Sequence, residues 1–120
     1  MNTKIKGRTG EDIACAYLKK KKFEIIERNF TTNVGEIDIV CADDGYIVFV
    51  EVKARRTTEY GAPSEAVNYY KQRKISQVAS QFLSKYKKYN FPVRFDVVEV
   101  YMDTMTVNHI ENAFDSFLRY

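Results

Sequence analysis

From Ile75 onward the apolar residues Val78, Ala79, Phe82, Leu83 and Tyr86 recur at helical spacings, so one face of an amphipathic helix is apolar and the other polar. Lys71 lies one turn earlier on the same stripe and is expected to point along the buried face toward a sheet edge. Near the N-terminus, Thr9 suits the cap of a helix that begins near Gly10 and runs to about Lys20, with Asp12 placed to return the capping bond. Between the two helices the pattern changes. Phe23 to Phe30, Glu36 to Cys41 and Tyr46 to Lys53 are rich in β-branched and aromatic residues and read as strands. Thr57 to Pro63 reads as a loop, and Ser64 suits the cap of a short helical turn. Asn90-Phe91-Pro92 breaks the long helix. Val93 to Tyr101 and Met105 to Ile110 then supply two more strands around a turn at Asp103-Thr104, with Val93, Phe95 and Val97 alternating against Arg94, Asp96 and Val98. The predicted order α-β-β-β-α-β-β describes an α/β fold, a mixed sheet flanked by helices, in one domain over residues 1–120.

The two central strands carry the chemistry. Asp44-Gly45 suits a two-residue hairpin turn, which pairs Asp43 with Tyr46 and sets Asp38 opposite Glu51 and Glu36 opposite Lys53, all on one face. A loop centred on Asp43-Asp44 instead shifts the pairing and sets Asp38 opposite Phe49, while Asp38 and Glu51 keep their common face. Carboxylates directly opposite one another, with Cβ atoms about 5 Å apart, destabilise a sheet unless positive charge lies between them. A divalent cation and Lys53 answer that need. The plain alternative is that Glu51 and Lys53 face solvent. Against it, the same face carries Val40, Ile47 and Phe49, so a charged end on an apolar stripe marks a site at the rim of a core.

Glu11 aligns with Ala14, Cys15 and Leu18 on the first helix, so a carboxylate begins an apolar stripe. It either complements the helix N-terminus or takes part in the chemistry. The net charge of +3 is unevenly spread: residues 1–90 hold 17 basic and 11 acidic residues, and residues 91–120 hold 2 and 5. Arg55 and Arg56, just past the carboxylates, and Lys71, Arg73 and Lys74 are candidates for phosphate contact. The lysines at 19–22 and 85–88 equally suit helix C-termini. A single histidine, His109, leaves little for histidine catalysis or a histidine-rich zinc site, so carboxylates and lysine must carry any reaction. Cys15 and Cys41 lie in apolar segments and are expected to be buried reduced thiols. With 120 residues, a polar N-terminus and no long apolar stretch, a soluble, cytoplasmic protein that makes no use of a membrane is expected.

Taken together, Gly7-Arg8-Thr9-Gly10-Glu11 before a helix, Arg28-Asn29-Phe30, Gly35-Glu36-Ile37-Asp38, Phe49-Val50-Glu51-Val52-Lys53-Ala54-Arg55 and Arg94-Phe95-Asp96-Val97-Val98 resemble the YraN-like family of bacterial proteins over almost the whole chain. That family looks like a branch of the restriction-endonuclease-like superfamily, the PD-(D/E)xK nucleases, and is similar to archaeal Holliday-junction resolvases. The resemblance implies that Asp38 is the metal-binding aspartate, Glu51 the second carboxylate, Lys53 the lysine and Glu11 the glutamate of the N-terminal helix. Gly35-Glu36-Ile37-Asp38 departs from the superfamily in lacking the proline. The implied activity is Mg²⁺- or Mn²⁺-dependent hydrolysis of phosphodiester bonds in DNA, with branched or otherwise structured DNA as a candidate substrate. The alternative is a nucleic-acid-binding or protein-interaction module that retains the fold without turnover. Glu36 either shares the metal or pairs with Lys53. Likeness to the resolvases, with the aromatic residues Tyr101, Phe114, Phe117 and Tyr120 near the C-terminus, also suggests a homodimer. The tail they belong to packs either on its own core or on a partner.

Overall fold

The computed structural model describes residues 3–56 and 67–115. Its elements are α1 (Thr3–Lys20), β1 (Glu24–Thr31), β2 (Glu36–Asp43), β3 (Tyr46–Arg55), α2 (Tyr69–Tyr86), β4 (Val93–Tyr101) and β5 (Thr106–Ile110). The order is the one expected. The five strands lie side by side in sequence order, antiparallel except for β3 and β4, which are parallel. The connection from β3 to β4 contains α2, since a parallel pair needs a crossover.

One helix limit differs from the sequence expectation. α1 starts at Thr3 instead of near Gly10, and the helix runs on through Lys4-Ile5-Lys6 and past Gly7. Thr9 is therefore interior, and Asp12 turns to Arg28 of β1, 2.7 Å away, in place of closing a capping box. α2 is capped by Asn68, whose side chain accepts the Lys71 backbone N–H at 2.8 Å. It closes at Lys87 in the left-handed region, φ 55°, with the Lys87 N–H bonded to the carbonyls of Leu83 and Ser84. The predicted loop at 57–63 and the cap at Ser64 lie outside the described residues, as do Phe117 and Tyr120.

Each helix covers one face of the sheet. Ile75, Val78, Ala79, Phe82 and Leu83 of α2 pack on Val40, Ile47, Phe49, Phe95 and Val97. Ala14, Cys15 and Leu18 of α1 pack with Ile39, Cys41, Val48, Val50, Val98 and Val100 on the opposite face. Phe114 stacks on Phe95, ring centroids 5.0 Å apart, so this part of the tail belongs to its own core. Both cysteines are buried and free, and burial pushes the Cys41 thiol up to about 12.

β4, covered on both faces, is buried from Phe95 to Val100, so its polar alternates do not reach solvent. Asp96 is fully buried and saturated with partners: Arg94 Nε at 2.9 Å and a second guanidinium nitrogen at 3.0 Å, His109 Nε2 at 2.8 Å and the Asn112 N–H at 3.0 Å. Because a carboxylate only accepts, His109 Nε2 donates, which leaves Nδ1 to accept from Lys21 at 3.3 Å. Burial alone would raise the Asp96 carboxyl, but the bonds from His109, Arg94 and Asn112 outweigh it and hold it below the usual range. The lone histidine thus locks β5 to β4, and Arg94 reaches on to Asp43 at 3.1 Å, tying the β2–β3 hairpin into the same cluster.

α1 approaches the sheet closely at Gly10, where an added Cβ would stand 2.8 Å from the Cβ of Ala54. That contact sets the seat of the following residue, Glu11. Gly10→Ala should therefore destabilise the protein by about 1–3 kcal/mol before its helix-propensity gain of about 1 kcal/mol is counted. Chemical denaturation of Gly10→Ala, Ala54→Gly and the double variant checks this: the double variant should recover stability relative to Gly10→Ala. Equal stability of Gly10→Ala and wild type would remove the close-approach constraint.

Candidate functional site

The site forms where the sheet forks. β2 and β3 pair from Asp43↔Tyr46 to Ile39↔Val50, the register expected for an Asp44-Gly45 turn, and both turn residues have positive φ as a type I′ turn requires. The ladder stops there. β2 continues against β1 through Phe30↔Ile37 and Thr31↔Glu36, while β3 continues against β4 as far as Arg55↔Tyr101. Asn29 of β1, next to the fork, takes a left-handed conformation, φ 54°, which asparagine tolerates better than most residues. The expected face-to-face rungs Asp38↔Glu51 and Glu36↔Lys53 are accordingly not part of the ladder, because the strands have already separated. In their place the Asp38 side chain accepts the Val52 N–H at 2.8 Å, satisfying a backbone donor that the fork would otherwise strand.

This single bond holds Asp38 beside Glu51. Burial first, then the negative charge of Glu51, and more weakly those of Glu11 and Glu36, push the Asp38 carboxyl up to about 7 despite the favourable Val52 N–H. Glu51 is mostly buried and bound by Lys71, Nζ to Oε1 2.8 Å, so the lysine at the head of the α2 stripe does reach the carboxylates at the sheet edge. The same contact, chiefly the hydrogen bond to Glu51, holds the Lys71 ammonium above its usual value. Glu11 lies in the interior of α1, whose first turn contains no acidic residue, so its place is not explained by the helix N-terminus. Only 15% of its side chain is exposed, and Arg28 of β1 stands 3.5 Å away.

Among the described residues no three His, Cys, Asp or Glu side chains already converge as a metal cage. Glu51 is turned onto Lys71 and Glu11 toward Arg28. The donors are nevertheless all carboxylate oxygens, the type Mg²⁺ and Mn²⁺ prefer, and Asp38, raised first by burial and then by the charge of Glu51, lies beside a second carboxylate. A cation fits that chemistry.

The remaining predicted residues divide in two. Lys53 follows Glu51 on β3 and is half-buried, with Glu99 of β4 as its neighbour in register. Arg56, Arg73 and Lys74 stand at the surface or near it. Arg55 does not simply face solvent: its Nε binds Glu99 at 3.1 Å. Glu99 is fully buried and also accepts from Tyr101 at 3.2 Å and Asn108 at 2.9 Å. Glu36, left open between metal and Lys53, accepts from Thr31 Oγ1 at 3.4 Å. Glu99 was missed in the sequence reading; its signal was a carboxylate inside the apolar run Val97-Val98-Glu99-Val100.

A profile described as uncharacterised protein family UPF0102 matches residues 10–100. A UPF0102 protein of Clostridioides difficile is 46% identical over 114 residues, covering 95% of this chain and 100% of the relative. One from Caldicellulosiruptor saccharolyticus is 46% identical over 118 residues with the same coverage, and one from Geobacter sulfurreducens is 44% identical over 117 residues, covering 95% of this chain and 91% of the relative.

The raised Asp38 gives a pH test. An acid whose folded pKa lies above its unfolded value costs nothing below pH 3.8; the cost grows as pH rises and is complete above about 7. Asp38→Asn keeps an acceptor for the Val52 N–H and removes the charge. Its melting temperature should exceed that of wild type above this window, and the gain should vanish at its acid end. A pH-independent difference would place the charge strain elsewhere.

Proposed function

The chain belongs to the UPF0102 family, the YraN family its motifs resemble, and we propose that it is a Mg²⁺- or Mn²⁺-dependent endonuclease that hydrolyses phosphodiester bonds in DNA. The observation that carries this reading is the pair Asp38 and Glu51 gathered at the fork, with Glu11 close enough to act on Asp38 and Lys53 two residues beyond Glu51. The resemblance to the restriction-endonuclease-like superfamily assigns these same four residues.

Asp38 and Glu51, assisted by Glu11, would hold the metal, which when bound would supply Lewis-acid activation of water and positive charge against the phosphate. Lys53 orients the attacking water and adds positive charge at the phosphate, a role open to a lysine beside a carboxylate pair. Arg56, Arg73 and Lys74 bind the phosphates on either side, which positions the strand without reading its sequence. Arg55 acts through Glu99, which pins the end of β3 to β4 and so steadies Lys53.

The contact between Lys71 and Glu51 favours a second reading, a nucleic-acid-binding module in which the lysine permanently takes the place of a metal. The two readings separate experimentally. For the nuclease, millimolar Mg²⁺ or Mn²⁺ raises the melting temperature of wild type and leaves Asp38→Asn and Glu51→Gln unshifted. Lys53→Ala abolishes cleavage across a panel of linear, single-stranded and branched DNAs, while binding in Ca²⁺ weakens only slightly. No metal-dependent shift in wild type, or equal loss of binding and cleavage in Lys53→Ala, favours the binding module.

A further inference from the structure

A groove of about 480 Å³ runs beside the fork between the β1–β2 turn and the first turns of α2. Val34 and Glu36 form one wall, and Tyr70, Lys71, Lys74 and Ile75 form the other. Lys71 connects it to the candidate site, since its ammonium binds Glu51. Tyr70 is 70% exposed and its neighbour Tyr69 is 63% exposed, more than any other large apolar side chain among the described residues. The buried stripe of α2 begins only at Ile75, so the core does not account for them. On another side of Tyr70 lies a second hollow of about 240 Å³, shared with Arg73, Lys74 and Gln77. Lys74 Nζ stands 5.6 Å from the centre of the Tyr70 ring.

We propose that this groove receives an unpaired nucleotide of the strand that lies at Asp38 and Glu51, with Tyr70 as the stacking platform for its base. The inference rests on the nuclease reading of the neighbouring site and names the substrate feature that site requires. An exposed aromatic ring flanked by cations is the combination that holds single strands, with the ring stacking a base and the cations meeting the adjoining phosphates. The volume suits one small-molecule-sized group and is far too small for a duplex. Charge sets the orientation. Glu36 keeps phosphate away from the hairpin wall, so the phosphates run along Lys71, Arg73 and Lys74 and the base turns inward toward Tyr70 and Val34. Lys74 over an exposed ring is held by a weaker contact than base stacking, so an entering base displaces it toward phosphate. A base paired within a duplex has both faces stacked and offers none to Tyr70. The recognised feature is therefore an overhang, a flap or the unpaired strand at a branch.

The test is fluorescence anisotropy in Ca²⁺ with a blunt duplex and the same duplex carrying a short single-stranded overhang, made once in DNA and once in RNA. Wild type should prefer the overhang about tenfold, the size expected for one stacked base. Tyr70→Ala should reduce that ratio to about one, and Tyr70→Phe should keep it. A larger ratio for one chemistry identifies the sugar of the bound strand. A ratio near one in wild type, or a ratio unchanged in Tyr70→Ala, overturns the proposal and leaves the aromatic pair to a protein partner. Cleavage of the blunt and the overhang-bearing duplex by wild type in Mg²⁺ is measured beside it. Cleavage without overhang preference rejects the groove alone, whereas no cleavage and no binding of any duplex reject the nuclease reading beneath it.

Discussion

The structure turns on the point where β2 leaves β3. A backbone N–H cannot be stranded without cost, and beyond Ile39↔Val50 the N–H of Val52 has no strand partner in β2. Asp38 takes that bond with its side chain. The fork thereby places a carboxylate against the end of β3, where Glu51 already stands, and the surroundings must supply positive charge. Lys71 at the head of α2 answers Glu51, and Arg28 of β1 approaches Glu11. Position and charge balance at the site follow from one interrupted ladder.

The same sheet contains buried carboxylates of a different kind. Asp96 and Glu99 are both fully buried, on opposite faces of β4, yet each is surrounded by donors: Arg94, His109 and Asn112 for Asp96, and Arg55, Tyr101 and Asn108 for Glu99. Asp96 is held below its ordinary pKa and Asp38 is pushed above it, although both are aspartates in strands of one sheet. The difference lies in partners. A fully satisfied network fixes strands in place, whereas a cluster of like charges with too few donors stores electrostatic strain, and such strain gathers at functional sites. Asp96 and Glu99 are on this criterion structural pins, whereas Asp38 with Glu51 forms a carboxylate pair that the sheet alone does not neutralise.

Much of the fold was legible because its signals are local. The I′ turn at Asp44-Gly45 carried the hairpin register, which in turn set the face of Val40 and Phe49. The apolar stripe of α2 predicted both its buried face and the direction of Lys71. The start of α1 was not legible, since Thr9 resembles a cap and only continuation through Lys4-Ile5-Lys6 makes it interior. Of the site, the types and approximate proximity of Asp38, Glu51 and Lys53 could be read from the two strands.

By itself, then, the sequence determined the elements, the hairpin register and the set of carboxylates and lysines that share its end, because turn chemistry and hydrophobic period act over a few residues. Only the tertiary structure decided that the ladder breaks before Asp38 can face Glu51, that Glu11 of α1 lies near enough for its charge to act on Asp38, and that Arg55 is bound to Glu99. It also decided that Asp96, which in the strand alternation reads as a polar outward position, is buried with His109. These outcomes depend on which strand lies beside which and on what covers each face, and such long-range choices are made by packing and charge balance among elements far apart in the chain.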